Sequence, residues 1–435
     1  MSLIDSTVII ADDLTGANDT ALQFFKNGCS AKIIIDYEQD FSEENNIDVY
    51  AISSESRNID KKEAVDRVLD IINKLNASIN PENYYKKIDS TLRGNTGLEI
   101  LAVLEATGLD AALVAPAYIE ENRTTIGAYQ LLNGIPIERT QCALDPKAPI
   151  VESYIPNILK KDFNPQLENL IDKIDFKIIS KGAGPITLKI NELIQKGKKI
   201  IVLDAISTVD LEQIALAINK SNYKILPVGS AGLANAINKL NDNDKKFDKI
   251  THLPDIATLL VSGSATKLTY NQIKKLKEEN KDIFFVDLKV KDVIAELDEN
   301  LVDEIVQKLN SKTDVVVHCS DMLDELKEEN AKNELIDAGI AQNEFSSKIT
   351  NYLADLLYEI NLKAYFSLVM IGGETSYKCV SKINSKYLQV LDAIMPAIPL
   401  CIDANGKIIV TKSGNFGTFD TLVLIFEYFK ELKNG

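Results

Sequence analysis

No stretch of the chain approaches the roughly 20 uncharged apolar residues that a membrane span requires. The opening MSLIDSTVIIADD carries acids where a secretory leader would place its basic residues and cleavage site. A cytoplasmic protein with no membrane partner is therefore expected. Cysteine is sparse: Cys29, Cys142, Cys319, Cys379 and Cys401 are scattered, odd in number and without a CxxC pair. That argues against a disulfide framework or a zinc site and leaves each as a small buried hydrophobe. Histidine is represented only by His252 and His318, one in an expected linker and one at a strand end, so imidazole chemistry is not expected. The chain also lacks GxxxxGK followed by Ser or Thr, HExxH and GxSxG, which removes the P-loop, zincin and serine-elbow mechanisms.

Positive charge is in deficit. The 435 residues include 48 basic against 64 acidic ones, for a net charge of −16, a field that repels nucleic acid and anionic membranes. Arginine is scarcer still: Arg57, Arg67, Arg93, Arg123 and Arg139 are the only five, all in the first third. A chain that uses Lys for nearly every solvated charge reserves Arg for places that need a rigid fork on a carboxylate or phosphate. The first part of the chain is therefore expected to grip an anion. Arg67, inside the helical run KKEAVDRVLDIINKL, reads instead as an internal ion pair.

What is present is a rhythm of short β-branched runs separated by amphipathic helical stretches. TVIIA, AKIII, DVYAI, AALVA, KIIVL and KILPV recur through the first half; TLLV, IFFV, DVVVH, SLVMI and KIIVT follow in the second. Such alternation predicts two doubly wound α/β domains. The polar NDNDKKFDK interrupts the pattern, so residues 1–240 form one expected domain, 241–254 a linker and 255–435 the second. The acidic stretch from Asp321 reads as a solvated helix face. GAGPIT, from Gly182, opens like a dinucleotide fingerprint after an expected strand FKIIS, but Thr187 stands at the third glycine position. An ordinary strand-to-helix turn is the better reading.

Chemistry-bearing residues gather at strand exits, where doubly wound sheets hold ligands. ADDLTGANDT delivers Asp12 and Asp13 to the start of a helix, where Asp13 serves equally as a cap. SSESR ends in Arg57, suited to a substrate carboxylate. YKKIDSTLRGNTGLE packs Lys87, Ile88, Asp89, Ser90 and Arg93 into one turn; Asp89 is the expected proton acceptor for a substrate hydroxyl, with Asp13 next. Arg123 and Asp145 are expected on a loop as gating or closing contacts. In the second half VSGSATKLT, IGGETS and TKSGNFGT place Gly263, Ser264, Gly372, Gly373, Glu374, Thr375, Gly414 and Gly417 at strand ends. Three such turns suggest a nucleotide cradle, expected to take MgATP, since small residues and helix N-termini let backbone amides reach phosphates. Metal ligands are not identified.

Taken in order, ADDLTGANDT, SESR, KKIDSTLRGN, NRTT, DPKAPI, VGSAGLAN, SGSAT, GGET and KSGNFG resemble the four-carbon acid sugar kinase family over nearly the whole chain. The resemblance implies an N-terminal acid-sugar-binding domain, a C-terminal nucleotide-binding domain and phosphoryl transfer from ATP in the cleft between them. It further implies that Asp12, Arg57 and Lys87 to Ser90 bind substrate, and that Ser264, Gly372 to Thr375 and Gly414 or Gly417 bind ATP. KKIDSTLRGN is similar to the D-threonate or D-erythronate branch rather than the 3-oxo-tetronate branch. Asn122 stands where the family usually has Gly, and Ala265 where it has a bulkier residue. A non-catalytic nucleotide and acid sensor and a nicotinamide-dependent sugar-acid dehydrogenase are the alternatives, and homo-oligomerisation is left open.

Overall fold

The computed structural model describes residues 6–38, 47–144, 148–240, 247, 250–320, 322 and 329–434. The chain divides into two compact units, Met1–Phe247 and Asp248–Gly435. Both are mixed α/β.

Strands of the first unit are β1 (Thr7–Ala11), β2 (Ala31–Ile34), β3 (Val49–Ser53), β4 (Asn83–Lys87), β5 (Ala111–Ala115), β6 (Arg123–Ile126), β7 (Tyr129–Leu132), β8 (Ile135–Pro136), β9 (Ile171–Ile174), β10 (Ile200–Leu203) and β11 (Ile225–Gly229). All but β6, β7 and β8 pair in parallel in the order β2-β3-β1-β4-β11-β5-β10-β9. Helices pack over the strands, which is why β1, β2, β3 and β5 are buried at every position and read as continuous apolar runs rather than alternating ones. β6, β7 and β8 form a small antiparallel sheet of their own. Arg123, expected on a loop, thus opens a strand. Asn122 before it adopts φ 54°, left-handed backbone that Asn tolerates and Gly enters freely. Asp145 lies outside the described residues.

The second unit contains β12 (Thr258–Ser262), β13 (Phe284–Asp287), β14 (Val315–His318), β15 (Ser367–Ile371), β16 (Tyr387–Met395), β17 (Ile398–Asp403) and β18 (Ile408–Lys412). β13, β14, β12, β15 and β18 run parallel in that order, and β17 and β16 continue the sheet antiparallel. The core on one face joins Leu260, Val369, Ile371 and Val410 to Leu422, Ile425, Phe426 and Phe429 of helix Thr421–Asn434.

Several expectations change. FKIIS is not a strand: Asp175 caps a short helix, Phe176–Ile179, by accepting from the Ile178 amide. GAGPIT therefore follows a helix and starts another, Ala183–Gln195, so the strand that a dinucleotide fingerprint needs is missing. Leu253, in the expected linker, is buried and donates from its amide to the Leu432 carbonyl at 2.9 Å; residues 241–246, 248 and 249 lie outside the described set. Of the acidic stretch, helix Glu329–Asp337 is described, while 321 and 323–328 are not.

Each parallel sheet reverses its winding beside its first strand. The chain passes from β1 to β2 and β3 on one side and then to β4 on the other; likewise it passes from β12 to β13 and β14 and then to β15. Loops leaving the carboxyl ends of such neighbours diverge and open a crevice. The expected site segments leave β1 and β4 in one unit, and β12, β15 and β18 in the other.

Candidate active site

At the end of β1, Asp13 has extended backbone and caps helix Leu14–Lys26, its Oδ1 accepting from the Gly16 amide at 2.8 Å. Arg57, beyond β3, turns its fork onto both acids. Its Nε and Nη2 donate to Asp12 at 2.7 and 2.9 Å, and its Nη1 donates to Asp13 at 2.6 Å. The expected opening of Arg57 toward a substrate carboxylate is thus taken up internally, because two acids leaving one strand end need a cation beside them. Burial pushes the Asp12 carboxyl up, but the charge and hydrogen bonds of Arg57, with Lys86 and Lys87 behind them, hold it below its ordinary value.

The end of β4 is wired to the same region. Lys86 is fully buried and pairs with Glu99 at 2.7 Å. Glu99, in helix Thr96–Thr107, also accepts from Ser56 Oγ at 2.7 Å, tying the SESR segment to the KKIDST turn. Lys87 Nζ donates to the Ile88 carbonyl at 3.0 Å. A Cβ on Gly16 would lie 2.8 Å from Asp13 Oδ1 and 2.9 Å from Lys87 Nζ. Glycine there lets an acid and an ammonium approach the same helix N-terminus. Ile88 contributes backbone, its amide donating to the Gly229 carbonyl at 3.0 Å, and the Ser90 carbonyl accepts from Gln130 Nε2 at 2.8 Å.

Asp89 is clamped. Its Oδ2 accepts from Arg93 Nε at 2.6 Å and from the Thr91 hydroxyl, and its Oδ1 accepts from Arg93 Nη2 at 3.2 Å. Burial opposes ionisation, yet the charges of Arg93 and Arg57, with these hydrogen bonds, hold the carboxyl well below its ordinary value. Such a carboxylate is a weak proton acceptor. Asp13 is the more accessible acid, with 20% of its side chain exposed against 10% for Asp89.

Arg123 is the less engaged arginine. Its Nη1 lies 3.7 Å from Glu121, and its Nε is buried without a hydrogen-bond partner. Tyr118, whose hydroxyl burial pushes up, feels the charges of both Asp19 and Arg123, so strand β6 brings Arg123 into the neighbourhood of helix Leu14–Lys26. Arg67 bonds the Ser54 carbonyl and Glu63, an internal role as expected.

Two acids went unnoticed in the sequence. Glu55, at φ 46°, accepts from the Leu14 amide at 2.9 Å and from Ser53 Oγ at 2.6 Å, both through Oε1. Burial pushes its carboxyl to about 7. Asp19, buried in helix Leu14–Lys26, is pushed by burial to about 6 against the pull of Lys87. Neither carries a local signal, because both depend on what packs over them. VGSAGLAN is a packing motif here: a Cβ on Gly229 or Gly232 would come 2.6 or 2.7 Å from the Ala115 or Ala117 carbonyl.

In the second unit the three glycine-bearing turns meet. A Cβ on Gly414 would come 2.2 Å from Ser264 Oγ, and one on Gly263 would come 2.1 Å from Thr375 Oγ1. Thr266 caps helix Lys267–Glu279, and both Thr266 and Thr269 donate to the Gly414 carbonyl at 2.9 Å. Ser264 Oγ lies 3.0 Å from Thr269 Oγ1. Gly372, at φ 108°, precedes helix Gly373–Lys382, whose first turn carries Glu374 and Thr375, and its amide donates to the Lys412 carbonyl at 2.9 Å. Gln272 Nε2 ties the third turn down through the Phe416 and Thr418 carbonyls at 3.2 and 2.7 Å, and Gly417, at φ 88°, completes it. The spacing S-x-T-x-x-T from Ser264 was the readable sign of this hydroxyl cluster. Beside it His318 Nδ1 contacts Ser320 Oγ at 2.9 Å; burial pushes its imidazole down to about 4, so it is neutral at physiological pH. Among the described residues no helix is long and apolar enough to cross a membrane, and no cluster of three or more His, Cys, Asp or Glu suits a metal.

One unit with fixed charges at its switch point, and another with small residues and helix N-termini at its own, define a two-domain α/β protein. The sugar-binding N-terminal domain family matches residues 7–237 and the nucleotide-binding C-terminal domain family matches residues 259–422. The chain belongs to the four-carbon acid sugar kinase family. It is 28% identical over 444 residues to a D-threonate kinase of Salmonella typhimurium, covering 98% of this chain and 99% of the other. It is 27% identical to a D-erythronate kinase of Heliobacterium modesticaldum, covering 98% and 97%. A solved Salmonella typhimurium structure described as a tRNA synthase shares the fold, with TM-score 0.81 at 20% identity over 97% of this chain and 99% of that one.

Proposed function

We propose that the protein is an ATP-dependent kinase that phosphorylates a hydroxyl of a four-carbon sugar acid, D-threonate first and D-erythronate next. The observation that carries this reading is the meeting of Gly263, Gly372 and Gly414 at the ends of β12, β15 and β18, in the half that matches a nucleotide-binding family. Ser264, Gly372, Gly373, Glu374, Thr375, Gly414 and Gly417 would line the ATP site. Mg2+ would accompany the nucleotide, held chiefly by its phosphates with one or two carboxylates at most, as this ion commonly is, and would neutralise the charge of the transferring group.

In the first unit, the sugar acid would lie against the N-terminus of helix Leu14–Lys26, where Lys87 and the helix amides favour negative charge. Arg123 is the better-placed fork for the carboxylate, since its Nε lacks a partner while Arg57 is committed to Asp12 and Asp13. Asp13 would orient the attacking hydroxyl and take its proton. Asp89, neutralised by Arg93, would frame the turn and position substrate. ATP supply makes the cytoplasm the natural compartment.

Coupled ADP release against a panel of tetronic and aldonic acids tests the activity and ranks the substrates. Folded Asp13→Asn should lose at least about a hundredfold in turnover, and Asp89→Asn less, because proton-acceptor help is worth two to four decades. The reverse order would return the acceptor role to Asp89. Absence of turnover with every acid would refute the kinase reading.

A further inference from the structure

Buried cations require a partner, and the buried lysines of this protein differ in whether they have one. Lys86 has Glu99 at 2.7 Å. Lys407 lies 3.8 Å from the Phe366 ring centre, with a second ring at Tyr365 and the charge of Asp403 nearby. Lys412 has neither. It ends β18, is 2% exposed, and its Nζ donates to the Ser413 carbonyl at 2.7 Å. Among the described residues no carboxylate lies within ion-pair distance of it. Burial alone, unopposed by any acid, pushes its ammonium to about 8. An uncompensated ammonium at this depth costs folding free energy that the protein's own groups do not recover.

Its position supplies the reason. The bond to Ser413 holds the ammonium at the second residue of the KSGNFG turn, one residue before Gly414, and the Lys412 carbonyl receives the Gly372 amide. Lys412 is therefore bonded directly into two of the three turns that meet at the end of the sheet. Those turns offer small residues and helix N-termini but no cation that the sequence had suggested.

We propose that Lys412 is the cation that binds the phosphate chain of the nucleoside triphosphate, its missing counter-charge being supplied by the ligand. The inference rests on the nucleotide-binding reading of this unit and deepens it. The phosphate chain is favoured over the carboxylate of the acid because Lys412 belongs to the turns of the second unit.

The test uses the full-length protein with Lys412→Met, and with Lys412→Gln, which keeps a donor for the Ser413 carbonyl should the Met variant not fold. Equilibrium binding is measured for ATP and for adenosine, with melting of the unliganded protein and the KM for the best acid alongside. ATP affinity should fall roughly ten- to a hundredfold, as expected for a lost charge-assisted contact. Adenosine affinity and the KM for the acid should stay unchanged, and the unliganded melting temperature should hold or rise. A folded variant that binds ATP within about threefold of the parent, or that loses adenosine equally, overturns the assignment of Lys412 alone. If the parent protein binds no ATP, the nucleotide reading fails first and this inference with it.

Discussion

At the scale of single residues, Arg57 and Arg123 differ in how far their forks are already occupied, Arg57 by Asp12 and Asp13 while Arg123 Nε has no hydrogen-bond partner. Arg57 holds two carboxylates at 2.6 to 2.9 Å with 14% of its side chain exposed, so Arg57→Ala leaves both without their cation. Breaking such a pair typically costs about 3 to 5 kcal/mol, and the expected result is a large drop in melting temperature before any effect on the acid can be measured. Arg123→Ala should leave melting nearly unchanged and raise the KM for the acid by one to two decades. Equal melting for the two variants would contradict this division. Glu55 gives a second residue-scale test. Its folded carboxyl sits at about 7 against an ordinary 4.5, so the native state holds that proton more tightly than the unfolded chain. The resulting stability is complete below 4.5 and is lost as pH rises through 7. Asp19, at about 6 against 3.8, acts in the same sense over a lower window. Because Gln mimics the protonated form, the melting temperature of Glu55→Gln minus that of the parent should grow from about pH 5 to pH 8. A difference constant with pH would mean that Glu55 stays ionised in the folded protein.

At the scale of elements, the glycine turns work because neighbouring elements occupy the space a side chain would need. Ser264, at the start of one turn, fills the place beside Gly414 in another, 2.2 Å from where its Cβ would be. Gly414→Ala must therefore push the KSGNFG turn away from helix Lys267–Glu279, to which Thr266, Thr269 and Gln272 bind it. We expect the KM for ATP to rise at least about tenfold with the KM for the acid little changed, as initial-rate kinetics with each substrate varied would report. Equal effects on both substrates would count against separate sites. The sequence marked these turns as glycine-bearing strand exits but could not mark their meeting. Strand order decides it, since β12, β15 and β18 are adjacent in the sheet though more than a hundred residues separate the first from the second.

At the scale of the whole molecule, the division of labour predicts which parts each ligand quiets. Hydrogen exchange should slow around 262–266, 372–375 and 412–417 when ATP is added alone, and around 12–18 and 85–93 when the acid is added alone. Protection by ATP confined to 12–18 and 85–93, or by the acid confined to 262–266, 372–375 and 412–417, would reverse the assignment of the halves. Much of this organisation is set by local sequence. Parallel strands covered by helices on both faces must be apolar throughout, so TVIIA, AALVA, TLLV and SLVMI announce themselves, and the α/β class and the strand-exit positions of Asp12, Asp89, Ser264 and Gly372 follow from them. Other features depend on groups distant in sequence. Whether the Arg57 fork was open turned on where Asp12 and Asp13, more than forty residues earlier, came to lie. Ionisation is the clearest case: Asp89 is held down and Glu55 pushed up, though both are acids at strand exits flanked by hydroxyls. A residue type fixes which charge a side chain can carry, but burial and the nearest opposite charge fix whether it carries it, and only the tertiary structure brings those together.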